Sequence, residues 1–193
     1  MNATKRSRFC TELFGDEKWI HYDNLKCKKS YVKPGQPSTS TAKPNIHGAK
    51  VILCIWWDQK GVFYYELLKS GETINGERYR QQLIKLKRAI AETRPEYATR
   101  HEAIIFHHDN ARPHVAQPVK NYLENSGWEV YSLIAQTLPL MTTTCSDQGI
   151  PMQNALSGIR FTSEQGIKNW VDSFFAAKPA QFFWDGIYKL SER

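Results

Sequence analysis

The 193-residue chain has no apolar run approaching the length of a membrane span, and its N-terminus lacks the apolar stretch of a signal peptide. Cysteine is sparse: Cys10, Cys27, Cys54 and Cys145 form no C-x-x-C pair and follow no regular spacing. They read as free thiols of a reducing compartment, which excludes a disulfide framework and gives no zinc signature. No internal repeat is visible. Acidic residues are the scarcer charge, 19 Asp and Glu against 26 Lys and Arg, leaving a net +7. Aromatics are plentiful, with six Trp, nine Tyr and nine Phe. That apolar area excludes wholesale disorder and suits one packed domain over 1–193.

The positive surplus is uneven. Residues 1–50 carry ten Lys or Arg and four Asp or Glu. Nucleic acid is one partner for such a surface, because Lys and Arg release counterions condensed on phosphates. A soluble basic surface is the other reading, and charge alone does not separate them. Within this region, residues 26–47 hold three prolines, clustered Ser and Thr, and Lys28, Lys29, Lys33 and Lys43. That composition predicts an extended basic loop.

Periodicity places the remaining elements. Trp19–Tyr22 alternates like a strand. Lys50–Trp57 and Val62–Leu68 read as a hairpin around Asp58–Gly61, with Asp58 forming the turn. A helix is expected from about Glu77 to Thr93, because Tyr79, Leu83, Leu86 and Ile90 recur on one face. Its other face carries Arg78, Arg80, Lys85, Lys87 and Arg88, read as solvated. A strand over 103–108, a helix from about Pro113 to Asn125 stopped by Gly127, and a strand from Trp128 follow. Residues 162–178 read as an amphipathic helix turning Ile167, Trp170, Val171 and Phe174 inward, and a last helical piece follows Trp184. This order defines an α/β chain with a mixed sheet.

The most informative segment is Ile104–Val115, where an apolar run ends in Asp109 and a helix opened by proline is expected to follow at once. Asp109 therefore sits at the C-terminal lip of a buried strand, where α/β folds carry reactive groups. Taken alone it could equally cap the following helix. Asp16, in Gly15-Asp16-Glu17-Lys18-Trp19, is a second carboxylate beside strand-like sequence. Paired carboxylates at one sheet edge suit two hard divalent cations, about 3.5–4 Å apart, that clamp an in-line phosphoryl displacement. Such a site calls for a third acidic side chain.

Seven phrases make the chain resemble mariner-family (Tc1/mariner) transposases over about 15–130 and 152–193. They are Gly15–Ile20, Pro34–Asn45, Cys54–Gly61, Tyr64–Leu68, Gly71–Asn75, His108–Val115 and Ala180–Ile187. The resemblance implies a ribonuclease H-like mixed sheet flanked by helices. It also implies cleavage and strand transfer of double-stranded DNA at terminal inverted repeats, with Mg²⁺ or Mn²⁺, in the nucleus. By the same resemblance, Asp16 and Asp109 match the first two metal-binding aspartates. The loop with Lys28, Lys29, Lys33 and Lys43 faces DNA and a partner subunit in a homodimer, and Arg112 is a further DNA-binding candidate.

Departures accompany the resemblance. The family's third aspartate falls by spacing on Thr144, and Asp147 is the only nearby carboxylate, a weak substitute. One set of codons for Ile134–Asp147, read from its third base, yields Ser-Pro-Asp-Leu-Ala-Pro-His-Asp-Tyr-His-Leu-Phe-Arg, nearly the family phrase. A frame slip within 131–151 follows from this reading, and a second is inferred upstream of Asp16, altering the strand expected to carry it. The family's N-terminal helix-turn-helix region is not among these residues. Three functional readings are carried: an active metal-dependent transferase, a degenerate domain without turnover, and a non-catalytic DNA-binding or dimerising module. A zinc site through His107, His108 and His114 is a minor fourth, with His108 and His114 read rather as polar neighbours of the carboxylates and His107 as pointing away.

Overall fold

The computed structural model describes residues 11–24, 48–99, 104–133 and 152–191. Five strands form one sheet: β1 (Thr11–His21), β2 (Lys50–Asp58), β3 (Gly61–Leu68), β4 (Ile104–Asp109) and β5 (Glu129–Leu133). Their spatial order is β3-β2-β1-β4-β5. β1, β2 and β3 run antiparallel as a meander, while β4 and β5 join parallel to β1. The helices are α1 (Gly76–Thr93), α2 (Glu96–Thr99), α3 (Gln117–Ser126), α4 (Met152–Leu156), α5 (Glu164–Ala176) and α6 (Ala180–Ser191). None of the described helices is long and apolar enough to cross a membrane.

The sheet is covered on both faces, as its sequence requires. β2 is buried from Val51 to Asp58, so it reads as a continuous apolar run rather than an alternating one. One face packs Leu13, Cys54, Trp56 and Phe106 against Tyr79, Leu83, Leu86 and Ile90 of α1 and Val119 and Leu123 of α3. The opposite face packs Phe14, Ile20, Leu53, Ile55 and Trp57 against Met152 and Leu156 of α4, Ile167 and Val171 of α5, and Phe182 and Phe183 of α6. Burial of the Cys54 thiol pushes its pKa far upward, so it stays a neutral packing group.

The β2–β3 turn forms as expected. Asp58 Oδ1 accepts from the backbone N–H of Lys60 at 2.7 Å and of Gly61 at 2.9 Å. Its Oδ2 accepts from the Tyr97 hydroxyl at 2.7 Å, which satisfies a carboxylate that is only 1 % exposed. Asn75 caps α1 by accepting from the Arg78 N–H, and Ser163 caps α5 by accepting from the Gly166 N–H.

The strand expected to carry Asp16, read as altered upstream of it, forms: β1 is an eleven-residue central strand with Leu13 and Phe14 buried. The altered residues still alternate, so each sheet face receives an apolar side chain. The helix expected from Pro113 instead begins at Gln117 with proline in its first turn, after a hydrogen-bonded turn over 112–115. That turn is held by Ala111, whose carbonyl accepts from the His114 N–H at 2.9 Å.

Gly15 marks a tight approach. A Cβ there would stand 2.8 Å from Trp56 Nε1, on a ring that is fully buried. Gly15→Ala is expected to cost about 1–3 kcal/mol by overpacking, read as a lowered denaturation midpoint in urea with an unchanged slope.

Candidate active site

Parallel pairing of β1 with β4 matches Thr11 to Ile104 and continues to Phe14 and His107. Asp109, the last residue of β4, lies two residues beyond that paired stretch, as Asp16 does on β1. The two carboxylates, from segments ninety residues apart in sequence, are near enough for the charge of Asp109 to act on Asp16, but among the described residues the potential ligand atoms that come together are those of Glu17, Asp109 and His114, without Asp16. Asp109 does not cap the following helix, whose N-cap is Ala116. Asp109 Oδ1 accepts from the Ala111 N–H at 2.9 Å, so it caps a turn rather than a helix.

Strand alternation sorts the neighbours. His107 lies on the face of Phe14, stacked at 4.6 Å between ring centroids. His108 lies on the other face, with its Nδ1 3.2 Å from the Tyr79 hydroxyl. Three histidines therefore do not converge, and the zinc reading through His107, His108 and His114 has no geometric basis. Glu17, adjacent to Asp16, likewise projects to the face opposite it.

That face holds a compact polar group. His114 is 3 % exposed, with Nδ1 2.6 Å from Asp109 Oδ1 and Nε2 3.1 Å from Glu17 Oε1. Its ring stacks on Tyr79 at 4.0 Å. Among the described residues, Glu17, Asp109 and His114 are the group whose potential ligand atoms come together, all within 4.8 Å of one another. The sequence reading placed His114 beside the carboxylates but passed over Glu17. The signal was available: a histidine headed for burial beside one carboxylate gains from a second on its free nitrogen.

Electrostatics divide the carboxylates. Burial, then the charges of Glu17 and Asp109, push the Asp16 carboxyl up to about 7, against the opposing hydrogen bond from the Glu17 N–H and the charge of Lys18. Asp109 is shifted the other way, lowered chiefly by its bond from His114. Burial is the largest single influence on His114 and disfavours its charge. Its hydrogen bonds to Asp109 and Glu17 together with their charges outweigh it and raise the imidazole to about 9. His108, buried beside His114, falls to about 4 and is neutral at pH 7.

Arg112 is exposed on the turn directly after Asp109. Lys28, Lys29, Lys33 and Lys43, and Thr144 and Asp147, lie outside the described residues.

A covered mixed sheet carrying acidic side chains on its central strands defines the class: a ribonuclease H-like catalytic fold. Comparison with known proteins gives the family. The family model described as transposase (partial DDE domain) matches residues 21–100. Mariner Mos1 transposase of Drosophila mauritiana is 50 % identical over 194 residues, covering all of this chain and 56 % of that protein. The crystal structure of the catalytic domain of Mos1 mariner transposase superposes with a TM-score of 0.72 at 41 % identity, over 94 % of this chain and 77 % of that one. The Mos1 mariner paired end complex with Mn gives 0.79 at 49 %, over 94 % and 53 %. The chain belongs to the mariner family of transposases, and it spans about half the length of Mos1 transposase.

The titrations predict a stability profile for the metal-free protein. The folded-state pKa of Asp16 lies above its unfolded value near 3.8, so folding weakens as pH rises from about 4 through 7. The stabilisation from His114 is complete below its unfolded value of 6.5 and is lost as pH rises through about 9. Asp109, lowered, acts in the opposite sense, but only below pH 4. The melting temperature should therefore fall between pH 6 and 9, and Asp16→Asn should raise it at pH 8 by about 2–6 °C, measured by calorimetry.

Proposed function

We propose that this chain is a mariner-type transposase catalytic domain whose ancestral reaction is metal-dependent cleavage and strand transfer of DNA at terminal inverted repeats, and whose turnover is lost. The observation that supports the reading is that Asp16 on β1 and Asp109 at the end of β4 belong to adjacent parallel strands, with the charge of Asp109 felt at Asp16. Their donor set fits hard divalent cations: carboxylate oxygens, one of them held at a raised pKa by burial and by its acidic neighbours. A cation there relieves that repulsion. Mos1 has been solved in its paired end complex with Mn, which supports Mn²⁺ or Mg²⁺ as the ion.

When bound, such ions activate the attacking oxygen and stabilise the leaving one. Asp16 and Asp109 hold them, and Arg112, exposed beside Asp109, is placed to contact a phosphate. Thr144, at the spacing of the third aspartate, offers a neutral hydroxyl instead of a carboxylate. Two ions left short of an anionic ligand bind weakly and lose the arrangement that displacement needs. The nucleus is the expected place of action, since DNA is the substrate.

A non-catalytic DNA-binding role is favoured by the net +7 and by the lysines of residues 26–47. Pairing of two copies on DNA, by analogy with the Mos1 paired end complex, extends that role.

The test is a Mn²⁺ titration followed by incubation with a terminal-repeat duplex. Expected are weak Mn²⁺ binding, reduced about tenfold or more by Asp16→Asn or Asp109→Asn, and DNA retention that falls steeply with salt, without nicking. Nicking or end joining in Mn²⁺ would overturn the loss of turnover, and Mn²⁺ binding untouched by both substitutions would overturn the site.

A further inference from the structure

We propose that His114 is a positioning residue for the site: it clamps the Asp109 carboxylate to β1 by bridging it to Glu17. The inference rests on the reading of Asp109 as a cation ligand given above, and it assigns a role to two residues outside the aspartate set.

The argument starts from where Asp109 sits. It is the last residue of β4, so the sheet fixes its backbone on one side only, and its side chain stands at a lip beside an exposed turn. A carboxylate in that position has rotamer freedom, and a cation site needs that freedom removed beforehand. Two contacts remove it. One is local, the Ala111 N–H donating to Oδ1 at 2.9 Å. The other comes from His114, five residues on, whose Nδ1 lies 2.6 Å from the same oxygen and 3.2 Å from the Asp109 backbone carbonyl. Oδ1 is therefore engaged twice by the protein, and Oδ2 is the oxygen left for a cation.

A clamp is only as rigid as its own support, and His114 is supported on three sides. Its Nε2 meets Glu17 Oε1 at 3.1 Å, tying the ring to the central strand. Its face lies against Tyr79 at 4.0 Å, and Tyr79 is fully buried in α1 with its hydroxyl on His108. Its backbone N–H is fixed to the Ala111 carbonyl. Glu17 follows Asp16 directly on β1, so the clamp ties the Asp109 carboxylate to the strand that carries Asp16.

Glu17, Asp109 and His114 could instead ligate one ion directly. Each imidazole nitrogen already faces a different carboxylate, and an ion held by the ring would have to displace one of those contacts. The geometry favours the bridge.

The experiment uses the whole chain and Mn²⁺ as the probe, with affinity read by electron paramagnetic resonance of free Mn²⁺. In His114→Asn the amide nitrogen stands in for Nδ1, and in His114→Gln it stands in for Nε2. Expected are a loss of about tenfold or more in His114→Ala and His114→Gln and retention within about threefold in His114→Asn. Pulsed measurements on the wild type should show no directly bound ¹⁴N. Asn and Gln variants of equal affinity, or a strong ¹⁴N coupling in the wild type, would overturn the positioning role. Because the Asn and Gln chains are compared with each other, the result stands even where the Ala chain fails to fold. Wild-type protein that binds no Mn²⁺ overturns the parent functional reading, and that is seen before any His114 variant is made.

Discussion

Backbone pairing between β1 and β4 is the constraint on which the rest depends. The two strands are distant in sequence, and no local preference brings Asp16 beside Asp109. Their parallel register does, and it is set by apolar side chains: Leu13 and Phe106 must enter one core while Phe14 and His107 stack on the other face. A slip by one residue would exchange the two faces of β4 and strand Phe106 among the wrong helices. The same register that packs the core thus sets the two acidic residues on neighbouring strands, Asp16 in mid-strand and Asp109 at a strand end.

Placing like charges together costs free energy, and the fold handles the two aspartates differently. Asp109 has a cationic neighbour and a backbone donor, which hold it ionised. Asp16 is half-buried, has Glu17 and Asp109 as neighbours, and is pushed towards its neutral form. One carboxylate is therefore stabilised by the protein and the other is not. That asymmetry is what a cation would relieve, and it agrees with the proposed role of the pair.

The stretch before Asp16 shows how little a central strand asks of its sequence. Leu13 enters one layer and Phe14 the other, and backbone pairing is indifferent to the side chains that a strand carries. Chemistry is less tolerant: a strand survives substitution when size and pattern are kept, whereas a carboxylate that ligates a hard cation has no neutral equivalent.

Much of this was legible in the sequence. The β2–β3 hairpin, the buried stripe Tyr79, Leu83, Leu86 and Ile90 and the turn at Asp58 are local patterns, and each forms where the pattern falls. The family phrases marked Asp16 and Asp109. Chain order alone could not show that Glu17 turns away from Asp16 to hold His114, or that the turn after Asp109 postpones the helix to Gln117. The first arises from a contact between residues about a hundred positions apart, where the fold chooses the partner, and the second from hydrogen bonds among Asp109, Ala111 and His114. Periodicity reports which face a side chain occupies; only the folded chain decides what it meets there.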